Sequence, residues 1–235
     1  MEYWTLLFFG CLIGMQHALE ADHLAAIAAL SAKRSSRRAL VLRGGIWGIG
    51  HTFTLLLICG LLLLLGEAVP PRMEAGLELI VGIMIVMLGA NVLYTLWKRR
   101  PHVHVHEHKD GRNHVHVHSH ADERVTHTES QHRHEHRHLG LRRALLVGMV
   151  HGAAGSAGLL VLAAAAESVG EAAGYVLSFG AGSIMGMAAL SFVASYPLRV
   201  LERSANWMNA AAYIAIAGVA IVVGGGLIEE SWRLL

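Results

Sequence analysis

Six long apolar blocks constrain this chain more than any other feature: about residues 4–31, 39–66, 73–97, 143–166, 172–198 and 207–228. A hydrocarbon core about 30 Å thick is crossed by roughly 20 helical residues, and each block is long enough. Lipid offers no water to backbone N–H and C=O groups, so such segments must be helices. The expected fold is therefore all-α, a polytopic membrane protein with six transmembrane helices. Charge agrees: 15% of the 235 residues are charged, against about 25% in soluble domains. The opening Met1-Glu2-Tyr3-Trp4 has no basic residue and no small-residue cleavage site follows, so the first block reads as a span and not as a cleaved leader.

Basic residues orient the spans. Lys33, Arg34, Arg37, Arg38 and Arg43 follow block one, ten more including Lys98, Arg142 and Arg143 follow block three, and Arg199 and Arg203 follow block five. Of 19 basic side chains, 17 fall on these alternate links. The positive-inside rule then puts both termini outside and the three basic loops in the cytoplasm.

The third link divides the chain into a first three-helix half (1–98), a His-rich loop (99–141) and a second three-helix half (142–235). "GMQHA" (14–18) and "GMVHG" (148–152) set His17 against His151. Three spans per half invert the second relative to the first, so the pattern predicts a 3+3 inverted repeat, a recurring transporter plan. The loop carries 13 of the chain's 17 histidines and almost nothing apolar, so it is expected to be largely disordered. In its near-copies "HVHVHEH" and "HVHVHSH", His102, His104, His106, His108, His114, His116, His118 and His120 alternate with other residues. Extended, each copy turns its imidazoles to one side and suits a metal buffer or sensor for Zn²⁺, Ni²⁺, Co²⁺ or Cu²⁺; a solvated linker is the bland alternative. "HEHRH" (134–138) matches the H-E-x-x-H pattern of zinc hydrolases, but that motif works only on a helix, and here composition alone produces it.

The first block contains "GMQHALEADHLAAI" (14–27), with His17, Glu20, Asp22 and His23 within seven residues. A charged group at a helix centre costs about 2.5–3.5 kcal/mol on insertion scales, whereas a Leu or Phe returns about 0.3–0.6. A polar cation site gives these residues a reason to be there. A straight helix puts Asp22 about 140° and His23 about 240° from His17, so either the segment unwinds near Gly14 or some of these groups support a ligating imidazole from behind. His17 and His23 are favoured ligands with Asp22 close by; the role of Glu20 stays open. His51, after four glycines in "GGIWGIGH", and His151, in "HGAAGSAG", complete the candidate metal set. Met15 and Met149 read as core, and Cys11 and Cys59 as small buried hydrophobes.

"HALEADH" (17–23) and "GIGHTFTLL" (48–56) resemble the H-x4-D-H signature and the second motif of the nickel/cobalt transporter family, above all its six-helix urease-accessory branch. The resemblance implies roles in metal handling for His17, Asp22, His23 and His51. It further implies Ni²⁺ or Co²⁺ as transported substrate without an organic cofactor, a bacterial or archaeal cell membrane, and partners such as a cytoplasmic metallochaperone or urease/hydrogenase maturation proteins; nothing calls for nucleic acid. Glu20 stands where larger importers have Asp, block four lacks their acidic third motif, and the His-rich loop resembles the efflux branch.

No G-x-x-x-x-G-K-[ST] loop is present. Two charges entering at 100 mV, inside negative, gain about 4.6 kcal/mol, so uptake can run on the potential alone. Secondary uptake of Ni²⁺ or Co²⁺ is thus the leading expectation, and not an enzyme. Efflux by the same fold is the alternative, followed by a metal store or assembly factor and an intramembrane zinc metallohydrolase.

Overall fold

The computed structural model describes residues 3–31, 36–65, 70–98, 102–107, 113–118, 138–155, 168–202 and 206–235. In chain order they form α1 (Tyr3–His17), α2 (Ala21–Ser31), α3 (Arg37–Leu65), α4 (Pro71–Lys98), β1 (His102–Glu107), β2 (Asn113–His118), α5 (His138–Ala154), α6 (Val169–Glu202) and α7 (Asn206–Leu234). Four helices contain segments long and apolar enough to cross a membrane: Arg37–Leu62, Pro71–Lys98, Gly170–Val200 and Trp207–Leu234. Polytopic, helical membrane architecture follows.

The first block is not one continuous helix. Its 15-residue α1 is about 22 Å long, short of a core about 30 Å thick. At residues 18–20 the chain turns, with Leu19 N–H on Gln16 O (2.8 Å) and Glu20 N–H on His17 O (3.1 Å). Glu20 O then accepts Leu24 N–H at 2.9 Å, and Asp22 Oδ1 accepts His23 N–H at 2.8 Å. Carboxylates at a new N-terminus satisfy unpaired N–H groups and suit the positive end of the helix dipole, so Glu20 and Asp22 favour restarting a helix here. The break falls after His17 and not near Gly14. The rest of block four beyond Gly155 lies outside the described residues until Ser168.

Small residues set the packing, because in lipid helices associate through close backbone contact. A Cβ on Gly14 would collide with the Phe179 carbonyl, on Gly182 with the Cys11 carbonyl, on Gly148 with the Trp47 carbonyl and on Gly152 with the His51 carbonyl. Thus α1 lies along α6, and α5 along α3, each pair parallel. Helices α3 and α6 cross antiparallel, Thr52 Oγ1–H donating to Gly180 O at 3.1 Å. Helices α4 and α7 are also antiparallel, Gly82 and Gly224 each abutting the other's carbonyl. These directions gather Tyr3, Leu65, Pro71, Val169 and Leu234 at one end, here the termini end. Arg37, Lys98, His138 and Asn206 lie at the other, the loop end.

Large apolar side chains such as Trp4, Phe8, Leu57, Met87 and Val222 face outward, as lipid permits. In the loop, β1 pairs antiparallel with β2, His102 opposite His118, His104 opposite His116 and His106 opposite His114. The two near-copies thus form a hairpin, an ordered piece inside a loop whose composition predicts little structure. His108 and His120 lie outside the described residues.

Candidate metal centre

Four histidines from four helices meet inside the bundle. His17 ends α1, His23 lies in the first turns of α2, and His51 and His151 project from α3 and α5. Ring centroids are 4.5 Å apart for His17 and His23, 5.2 Å for His17 and His51, 5.3 Å for His23 and His51, and 4.1 Å for His23 and His151. His23, His51 and His151 are buried at 1%, 0% and 2% exposure. Trp47 flanks His23 and His151, and Phe179 flanks His17.

The helix break brings His17 and His23 together. On a continuous helix they would diverge; the turn at Ala18–Glu20 points α2 so that both rings converge. Gly14, Gly148 and Gly152 then draw α1 and α5 against α6 and α3, which places His51 and His151 within reach.

Carboxylates orient the rings. Glu20 Oε1 lies 2.7 Å from His17 Nδ1. Asp22 Oδ1 lies 2.9 Å from His23 Nδ1, and its Oδ2 lies 2.7 Å from His151 Nε2. With the ring protons on those nitrogens, His17 and His23 keep Nε2 lone pairs. Neither Nε2 has a hydrogen-bond partner among the described residues, nor has either nitrogen of His51 or Nδ1 of His151. Buried polar groups are nearly always satisfied, so this concentration of unpartnered nitrogens fits a cation better than a sealed hydrogen-bond network. Two groups have ligand atoms within 4.8 Å of one another: His17, His23, His51 and Asp22, His23, His151. Imidazole with carboxylate suits divalent Zn, Ni, Co or Cu.

Every membrane residue of the candidate metal set read from the sequence, His17, Glu20, Asp22, His23, His51 and His151, lies here. Glu20, more than half exposed, touches His17 without joining either group. Two residues were missed: Glu78 of α4 and Glu230 of α7 line a cavity of about 440 Å³ with His17, Glu20, Asp22, His23 and His151. Glu78 interrupts the apolar run "GLELIVG", a signal of the same kind as Asp22. Cys11 and Cys59 form no disulfide; Cys59 is buried as expected and Cys11 only half-buried, and Met15, read from the sequence as core, is exposed.

A helical membrane bundle with a buried imidazole–carboxylate cluster defines the class: an integral membrane protein with two His/Asp groups whose ligand atoms lie close enough together to hold a metal ion. Residues 21–227 match the family described as "Cytochrome C biogenesis protein transmembrane region", and the chain belongs to that family. It is also 29% identical over 226 residues to "Urease accessory protein UreH" of Bacillus sp. (strain TB-90), covering 96% of this chain and 90% of that one. No solved structure matches it significantly.

Proposed function

We propose that this protein transports a divalent transition-metal ion across the membrane, Ni²⁺ foremost and Co²⁺ next, through the centre formed by His17, Asp22, His23, His51 and His151. One observation carries the proposal: four imidazoles from separate helices converge at membrane depth with five ring nitrogens lacking a partner among the described residues. Ordinary packing gives no return on that cost, whereas an ion shedding its hydration shell takes up those lone pairs. The nickel assignment rests on the H-x4-D-H resemblance and on similarity to a protein named as a urease accessory; imidazole chemistry alone would favour Cu²⁺.

The direction is uptake. The termini end carries Glu74, Glu78, Glu171, Glu229 and Glu230, and the loop end carries Arg37, Arg38, Lys98, Arg142, Arg143 and Arg199. With the basic end cytoplasmic, the acidic cavity faces outward, and an inside-negative potential draws the ion through. The His-rich loop then receives it. A 3+3 inverted repeat organises the path: "GMQHA" of α1 packs on "FGAGS" (179–183) of α6 as "GMVHG" of α5 packs on "WGIGH" (47–51) of α3. Halves 1–98 and 142–235, joined by loop 99–141, are the proposed units, with six membrane passes in all.

Purified protein in liposomes, with a potassium-diffusion potential negative inside, is expected to accumulate Ni²⁺ and to lose that activity in His17→Ala and His51→Ala. Metal bound but not passed would overturn transport in favour of a store. Cells expressing the protein should hold more nickel; less nickel and higher resistance would establish efflux.

A further inference from the structure

We infer that the centre holds two overlapping ion positions that share His23, and that an ion moves between them by exchanging one face of that ring for the other. This deepens the transport reading and rests on it. The first position is formed by His17, His23 and His51, the second by Asp22, His23 and His151. The hydrogen bonds assign them opposite nitrogens of one ring. His23 Nδ1 lies 2.9 Å from Asp22 Oδ1, on the second position's side, whereas Nε2 has no hydrogen-bond partner among the described residues and serves the first.

A neutral imidazole has one lone pair and one N–H, so His23 can ligate at only one of the two positions at a time. The observed contacts favour the first as the resting position. Its nitrogens lack competing partners, and Asp22 and Glu20 hold the Nδ1 protons of His23 and His17 on the far side. To occupy the second position, an ion must take Nδ1 of His23 and Nε2 of His151. The proton leaving His23 Nδ1 is balanced by one gained at its Nε2, and that leaving His151 Nε2 by one gained at its Nδ1. Each ring stays neutral, and Asp22 stays a carboxylate throughout.

Position relative to the cavity orders the two. Asp22, His23 and His151 all line it; of the first position's members His17 and His23 also reach it, and His51, fully buried, is the one absent from its lining among the described residues. An ion arriving past Glu78 and Glu230 meets the Asp22–His23–His151 face first and passes behind it to His51. The carboxylate joins the position where the ion still exchanges water, and the all-imidazole position lies beyond.

Co²⁺ bound to the full-length purified protein, read by its visible d–d absorption, tests this. His23→Gln supplies the background from the His-rich loop, and each variant is first checked for a monodisperse elution profile. Above that background the wild type should bind one Co²⁺ per chain. His51→Ala should still bind one, with an altered spectrum as oxygen enters the ligand set. His151→Ala should keep the wild-type spectrum but lose flux in liposomes by roughly tenfold or more, and His51→Ala/His151→Ala should bind none. Two ions per chain, outright release or an unchanged spectrum in His51→Ala, or full flux in His151→Ala would each overturn the two-position arrangement. Flux that survives in His151→Ala would leave the transport reading standing. Binding as expected with no flux in wild type would sink transport and leave the paired positions intact.

Discussion

Helix α1 approaches α6 through Gly14, which abuts the Phe179 carbonyl; α5 approaches α3 through Gly148, which abuts the Trp47 carbonyl. Three residues after each glycine stands a histidine, His17 in one case and His151 in the other. Beyond that point the two halves part. The first continues through Glu20, Asp22 and His23; the second continues as Gly-Ala-Ala-Gly-Ser-Ala-Gly (152–158). On α3 the strip ends in His51; on α6 the corresponding strip ends in Ser183, whose hydroxyl donates to Gly14 O at 3.3 Å. One half supplies most of the candidate ligands while the other supplies space and a single imidazole. The difference teaches that a shared packing device fixes where two helices meet, while the residues just past the crossing decide what the meeting can do. A ligand cluster needs small neighbours: Gly155 sits within 3.7 Å of His17 and His51 ring atoms when given a Cβ.

The sharpest way to break this contrast is to remove a ligand from the rich half. His23→Ala takes a member from both ligand groups and should reduce Ni²⁺ accumulation in liposomes to the protein-free background; persistence of transport would deny the first half its chemical role. The packing side of the comparison is tested by Gly14→Val and Gly148→Val. Each forces a side chain onto a backbone carbonyl and should cost about 1–3 kcal/mol, read as lowered melting temperature in detergent. Similar losses in both variants sharpen the parallel between the two crossings, and a loss in only one breaks it. A smaller effect is expected outside the ligand groups. Glu20→Gln keeps the size of the side chain but weakens its hold on His17 Nδ1, and Ni²⁺ affinity should fall about tenfold by competition with a chelating dye. Smallest of all, Glu78→Gln with Glu230→Gln should slow uptake a few-fold at low ionic strength, with the deficit shrinking as salt screens the cavity's field.

Several features were legible without coordinates because they depend on local chemistry. Asp22, His23 and His51 are costly at membrane depth whatever surrounds them, so their presence in apolar blocks marks a site. Alternation of basic and acidic links marks two ends. The helix break was legible only as a requirement. His17, Asp22 and His23 could not share a face of a straight helix, yet the sequence did not say that the turn would fall at Ala18–Glu20. Glycine in "GMQHA" suggested Gly14, but Gly14 serves instead as a contact with α6. Asp22 shows the same limit: its proximity to His23 follows from sequence, its 2.7 Å contact with His151 Nε2 from folding.

Amino-acid order alone determined that this chain enters a membrane as helices, which ends carry which charge, and which ionisable groups lipid would refuse. Those are consequences of transfer free energy, which acts residue by residue. Tertiary structure alone decided that four rings from α1, α2, α3 and α5 converge, that His23 faces two ligand groups at once, and that Glu78 and Glu230 share their cavity. Such proximity depends on how glycine crossings set distances between helices more than a hundred residues apart, and no local preference encodes it.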